Sequence, residues 1–147
     1  MVDGGFRIEE AKTLSSSDVA DIGRLVGQLS SSPREITAEV LSPILTDDRS
    51  HLLVARKAPG AEILGMLTLV IFNIPTGVRA WIEDVVVDES TRGVGLGKAL
   101  TLHAIEVAKS KGAVSVDLTS RPSRVSANAM YQRLGFKLRE TNVYRYG

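Results

Sequence analysis

With 147 residues the chain has room for one domain with a real core, and two cores would leave each half marginal. Hydrophobic residues at 44% and charged residues at 24% exclude wholesale disorder, and the lack of cysteine excludes disulfide frameworks, thiolate metal sites and cysteine nucleophiles. The formal charge is +1, but residues 1–90 carry 8 basic and 14 acidic side chains (net −6) while residues 91–147 carry 10 and 3 (net +7). Such a split suits a compact anionic ligand on the C-terminal half better than a long nucleic acid, and 5% aromatic residues offer few stacking platforms for single strands.

The two histidines, His51 and His103, lie far apart in sequence, so no metal site is expected. Met1–Glu10 lacks a basic segment followed by an apolar one, and residues 1–5 are expected to lie outside the folded domain. The longest uncharged run, Ile63–Val78, has 16 residues interrupted by Pro75 and Gly77, too short to span a bilayer. A cytoplasmic protein without membrane partner is expected.

Alternation over Phe6–Lys12 predicts a first strand. Ser15–Asp18 then offers N-caps to a helix carrying Val19, Ile22, Leu25, Val26 and Leu29. After the polar loop Ser30–Glu35, a second helical pattern starts near Thr37. Pro43 sits inside it, which predicts a kink or two short turns. His51–Ala58, Ile63–Ile74 and Ala80–Val87 read as three strands joined by turns, an antiparallel meander. A glycine-rich loop, Arg92–Lys98, opens a helix whose stripe is Leu96, Leu100, His103, Ala104 and Val107 and which stops at Gly112. A strand at Val114–Thr119, a short helix at Ala127–Leu134 and one or two strands within Phe136–Tyr146 complete a single α/β domain of order β-α-α-β-β-β-α-β-α-β-β.

Within Arg92–Lys98, glycines let backbone amides converge at a helix N-terminus, a phosphate-binding geometry to which Arg92 and Lys98 add charge. A Walker A loop is excluded, because Ala99 follows Gly97-Lys98 and Arg92 occupies the first glycine's place. A Rossmann fingerprint is excluded, because its third glycine would be Lys98 and residues 88–91 separate strand from turn. Arg92, Gly95 and Gly97 instead match the Arg/Gln-x-x-Gly-x-Gly/Ala loop of the GCN5-related N-acetyltransferases (GNAT). The strand Val85-Val86-Val87 before the loop, the segment Asn128–Phe136 and the element order over nearly the whole chain also resemble that family. Locally, Ile82–Val87 with the loop is similar to the glucosamine-phosphate acetyltransferase branch.

The resemblance implies an acetyl-CoA-dependent N-acetyltransferase with a GNAT fold and no metal. It implies pyrophosphate binding by Arg92, Gly93, Val94, Gly95, Leu96, Gly97 and Lys98, and pantetheine binding by the main chain of Val85, Val86 and Val87 and by Asn128. Tyr131 would be the acid that reprotonates the leaving thiolate and Glu83 the base, with alternation placing Trp81, Glu83, Val85 and Val87 on one face. Asp84 is expected to order a loop or pair with an arginine. Arg34, Arg121 and Arg124 are candidate contacts to an anionic acceptor. The expected acceptor is a small-molecule primary amine such as an amino sugar or polyamine. A protein amine or a non-catalytic acyl-CoA sensor are the alternatives, and in parts of the family the last strands form a homodimer interface, for which Thr141–Tyr146 is the candidate here. His103 is expected in the core and His51 exposed.

Overall fold

The computed structural model describes residues 5–30 and 34–147. Residues 1–4, expected outside the fold, and residues 31–33 of the polar loop lie outside the described residues. The elements are β1 (Arg7–Glu10), α1 (Ser16–Leu29), α2 (Ala38–Thr46), β2 (Ser50–Arg56), β3 (Gly65–Ile74), β4 (Gly77–Val87), a 3-10 turn (Glu89–Thr91), α3 (Leu96–Ser110), β5 (Ser115–Leu118) and α4 (Val125–Arg133).

The five strands form one sheet in chain order, antiparallel from β1 to β4 and parallel between β4 and β5. Strand alternation gives the sheet two apolar faces. Leu53, Ala55, Leu67, Leu69, Ala80 and Ile82 pack under Leu96, Leu100, Ala104 and Ala108 of α3. On the other face Leu52, Val54, Met66 and Val86 meet Ile22 and Leu25 of α1 and Leu41 of α2. Gly65 lets α3 approach β3 closely, since a Cβ there would lie 3.1 Å from methyls of both Leu96 and Leu100.

Local chemistry sets the helix starts. Ser15 and Asp18 exchange side-chain and backbone hydrogen bonds in a capping box, and Thr37 accepts from the Val40 amide. Asp18 also accepts from the buried Arg56 Nη1 at 2.9 Å, and Arg56 Nε reaches Glu9 at 2.9 Å, which ties α1 to β1 and β2. α2 runs through Pro43 as one helix; the carbonyl deprived of its donor belongs to Glu39 in the exposed first turn.

Two expectations are corrected. No strand forms in residues 137–147, where Leu138, Val143, Tyr144 and Tyr146 are exposed: these apolar side chains find no core surface against which a strand could pack. His51 is buried, its Nδ1 2.9 Å from Glu10 Oε1, because this hydrogen bond to β1 gives the ring nitrogen a partner inside the fold. His103 is half-buried beside the α3 stripe.

A third correction concerns β4. Met66 pairs with Val86 but Thr68 pairs with Glu83, so β4 carries one extra residue over that span. Asp84 absorbs it at φ 51°, in the left-handed region that aspartate tolerates better than most residues. Parity therefore reverses: Trp81 and Glu83 share a face with Thr68 and Val70, whereas Val85 and Val87 pack on the α3 side and Val86 on the α1 side. Asp84→Val should cost about 1–2 kcal/mol in urea unfolding because a β-branched residue resists φ > 0, while Asp84→Asn should change stability by less than about 0.5 kcal/mol. Equal stability of the two variants would contradict the strained bulge.

Candidate active site

The site begins with how α3 starts. Gly93 and Gly95 adopt φ 86° and 83°, and a Cβ on either would meet nothing within 4 Å. Backbone conformation, not crowding, demands glycine there. Unlike α1 and α2, α3 has no side-chain cap and no acidic residue in its first turn, which instead holds Lys98, the sign the helix dipole disfavours. Its free amides, with Arg92 and Lys98 alongside, form an electropositive notch fitted to an anion the chain does not supply. Val94 and Lys98 are exposed at its rim and Leu96 is buried as the anchor to the core.

The second part is a free strand edge. β4 pairs with β5 only from Arg79 to Ile82, so among the described residues its last five positions have no neighbour on that side. The Asp88 amide donates to the Leu64 carbonyl beside β3 at 2.8 Å, which by alternation turns the polar backbone groups of Val86 towards β3 and those of Val85 and Val87 towards the opening. Consistent with this, Arg92 Nε donates to the Val87 carbonyl at 3.2 Å. The bulge bends the strand where the opening begins.

α4 lies near the start of α3: Met130 comes near Gly97, where an added Cβ would lie 3.9 Å from the Met130 methyl. Asn128 donates from Nδ2 to the Arg121 carbonyl at 2.9 Å, fixing the β5–α4 turn. The Tyr131 ring is buried and meets Phe136 edge-on at 5.8 Å, while its hydroxyl has no hydrogen-bond partner among the described residues. Burial pushes the Tyr131 phenol above its usual value, with the nearby Arg124 charge opposing, so it holds its proton throughout the neutral range.

Glu83 is exposed and accepts from Trp81 Nε1 at 2.7 Å, so its carboxylate is oriented by the indole and is not enclosed by apolar neighbours. The raised carboxyl is that of Asp84, through desolvation first and the Glu83 charge second, and Asp84 forms no ion pair with an arginine among the described residues. Arg121 and Arg124 share one turn, joined by the Arg124 amide donating to the Arg121 carbonyl at 3.0 Å, and both are exposed. Arg34 is exposed on the α1–α2 connection, and no described contact joins it to them.

Reading the motifs alone misses a cluster behind the loop. Arg24 Nε and Gln28 Nε2, one turn apart on α1, donate to Asp88 Oδ1 at 3.1 and 2.9 Å, and Gln28 Oε1 accepts from the Glu89 amide at 3.0 Å. Asp88 also accepts from the Ser90 amide and hydroxyl, capping the 3-10 turn. The available signal is an i, i+4 polar pair, Arg24 and Gln28, within the apolar second half of α1.

The model of the Acetyltransferase (GNAT) family matches residues 18–136. The chain belongs to this family. It is 35% identical over 141 residues to a glucosamine 6-phosphate N-acetyltransferase of Trypanosoma brucei brucei, covering 91% of this chain and 92% of that protein. A probable glucosamine 6-phosphate N-acetyltransferase 2 of Oryza sativa subsp. japonica is 34% identical over 122 residues, covering 76% and 71%. Among solved structures, an acetyltransferase of Trypanosoma brucei superposes with a TM-score of 0.78 at 30% identity, covering 96% of this chain and 99% of that one.

GNAT enzymes take their acetyl group from acetyl-CoA, and this chain is an N-acetyltransferase. The residues present fit that cosubstrate: an uncapped, glycine-led helix start suits its pyrophosphate, and the adjoining free strand edge suits an amide-bearing arm. No helix among the described residues is long and apolar enough to cross a membrane.

Hydrogen bonds from Ser90, Gln28 and Arg24 hold the Asp88 carboxyl well below the usual range. A carboxyl that titrates lower when folded stabilises above its unfolded pKa of about 4, and this stabilisation is lost as pH falls through the folded value. Asp88→Asn should therefore cost about 1–3 kcal/mol at pH 7, a gap that closes below about pH 4. A pH-independent gap would contradict the network.

Proposed function

We propose that this acetyltransferase acts on the primary amine of a small molecule, with a phosphorylated amino sugar the favoured acceptor. The observation that carries the reading is the opening of β4 away from β5 beside the uncapped α3 start. The choice of acceptor is supported by the two relatives named for glucosamine 6-phosphate and by the exposed cations Arg121 and Arg124 on the turn after β5.

In this reading the amides of Gly93–Lys98 with Arg92 bind the pyrophosphate, and the backbone of Val85 and Val87, assisted by Val86 and Asn128, binds the pantetheine arm. Acetyl-CoA supplies the activated acetyl thioester. Glu83, steadied by the Trp81 indole, takes a proton from the acceptor ammonium, directly or through a water, because a lysine-like amine near pKa 10.4 is unreactive while protonated. Tyr131 Oη, protonated and without a hydrogen-bond partner among the described residues, donates its proton to the departing sulfur. Arg34, Arg121 and Arg124 meet the acceptor's anionic group, the latter two from one turn.

The homodimer also belongs to this reading. It is supported by the exposed Leu138, Val143, Tyr144 and Tyr146 and by the outer edge of β5, which has no strand neighbour among the described residues. Sedimentation equilibrium should give twice the chain mass, and a monomer at all concentrations would remove it.

Transfer from acetyl-CoA should be assayed against glucosamine 6-phosphate, glucosamine, spermidine and a lysine peptide. The sugar phosphate should give the highest kcat/KM. Preference for the peptide would reassign the acceptor class, and coenzyme binding without transfer to any amine would favour a sensor. Tyr131→Phe should lower kcat by roughly 10²–10⁴ with acetyl-CoA affinity within about twofold. The phenol's raised pKa means that no basic limb below pH 10 should come from Tyr131; one that vanishes in Tyr131→Phe would contradict that raised pKa. Glu83→Gln should lower kcat by roughly 10²-fold or more with acetyl-CoA affinity within about twofold, whereas that loss in Asp84→Asn with activity kept in Glu83→Gln would move the base to Asp84.

A further inference from the structure

We infer that Gln28 and Arg24 of α1 are positioning residues for acetyl-CoA: through Asp88 and the Glu89 amide they fix the angle at which the phosphate loop leaves β4. The inference rests on the reading of Arg92–Lys98 as the pyrophosphate site.

The geometry is that of a hinge held from behind. Asp88 is the first residue after β4, and its amide still donates to the Leu64 carbonyl at 2.8 Å, so it belongs to the rigid sheet on one side. From Glu89 onward the chain must turn through one 3-10 turn and four residues before α3 begins. That linker buries no residue between Glu89 and Gly95, and Gly93 and Gly95 add backbone freedom, so apolar packing does not fix its direction. Three side-chain hydrogen bonds from one face of α1 do so instead. Gln28 uses both ends of its amide, donating to Asp88 and accepting from Glu89, and thus grips the cap and the first residue of the turn. Arg24 is in turn fixed by Asp21 at 3.0 Å and the Ile63 carbonyl at 2.9 Å, so the grip is referred to the body of the protein.

What this alignment does follows from the ligand. Its two recognised parts, an amide-bearing arm and a pyrophosphate, are covalently joined, and they meet two protein parts, the β4 edge and the loop, that Asp88 joins. A loop free to pivot would have to be ordered on binding, at a cost in affinity, whereas a loop held at the right angle binds both parts together. Gln28 and Arg24 are given no contact with ligand in this arrangement. Their effect is confined to ligands that span the hinge.

This restriction makes the test. Gln28→Met keeps helix propensity and volume but removes both hydrogen bonds. The affinities of wild type and variant for acetyl-CoA and for S-acetylpantetheine, which lacks the pyrophosphate, are compared by calorimetry and by KM with one acceptor. The expected result is about a tenfold loss for acetyl-CoA, a change within twofold for S-acetylpantetheine, and kcat at saturating acetyl-CoA within twofold. Gln28→Glu, which keeps an acceptor for the Glu89 amide but sets a negative charge against Asp88, should show the same selective loss. Equal losses for both thioesters, or no loss for either, in whichever variant folds would overturn the inference. Wild-type protein that binds the two thioesters equally would instead overturn the phosphate-loop reading itself.

Discussion

In an unbroken strand the side chains of residues 83, 85 and 87 would lie on one face of the sheet. The extra residue that Asp84 accommodates at φ 51° reverses this order, so Glu83 faces away from α3 while Val85 and Val87 pack beneath it. Three residues of one strand thereby present a carboxylate to one side and apolar anchors to the other. The same irregularity bends β4 where it parts from β5, leaving backbone groups of Val85 and Val87 directed into the opening. Val85 and Val87 packed on one face and Val86 on the other hold the strand just beyond the bulge, so that the strained residue cannot relax without disturbing both cores.

Around that strand the division of charge acquires a location. The net +7 of residues 91–147 is spread over the α3 start, the turn at Arg121 and Arg124, and the tail, whereas acidic residues of the first half engage buried or half-buried partners such as Arg24 and Arg56. Helix α3 forgoes the cap that α1 and α2 both possess, and Lys98 stands where the dipole works against it. These choices cost stability in the free protein, as expected when a helix start is shaped for an external anion.

Much of this was legible from residue order. Ser15 with Asp18, Thr37, and the Leu96, Leu100 and Ala104 stripe announce their helices because capping and periodicity are local properties. The glycine loop was legible because few backbone uses demand Gly93 and Gly95 together at a strand–helix junction. The bulge was not, because Glu83-Asp84-Val85 has no feature that distinguishes an inserted residue from ordinary alternation; only the pairing with Met66 and Thr68 reveals it. The burial of His51 depends on Glu10, 41 residues away, and the grip on Asp88 depends on Gln28, 60 residues away, contacts that no local pattern encodes. The tail from Lys137 holds β-prone residues such as Val143, Tyr144 and Tyr146 yet pairs with no strand here, because propensity specifies a preference and the packing partner decides it.

In the proposed reading the β4 edge and the α3 start together form the acetyl-CoA site. Amide hydrogen exchange resolved by NMR, with and without acetyl-CoA, distinguishes that site from any other. Protection should strengthen at the amides of Val85 and Val87 and across Gly93–Lys98, with Val86, whose amide already faces β3, little changed. Protection confined to other segments, or strengthened at Val86 and not at its neighbours, would contradict it.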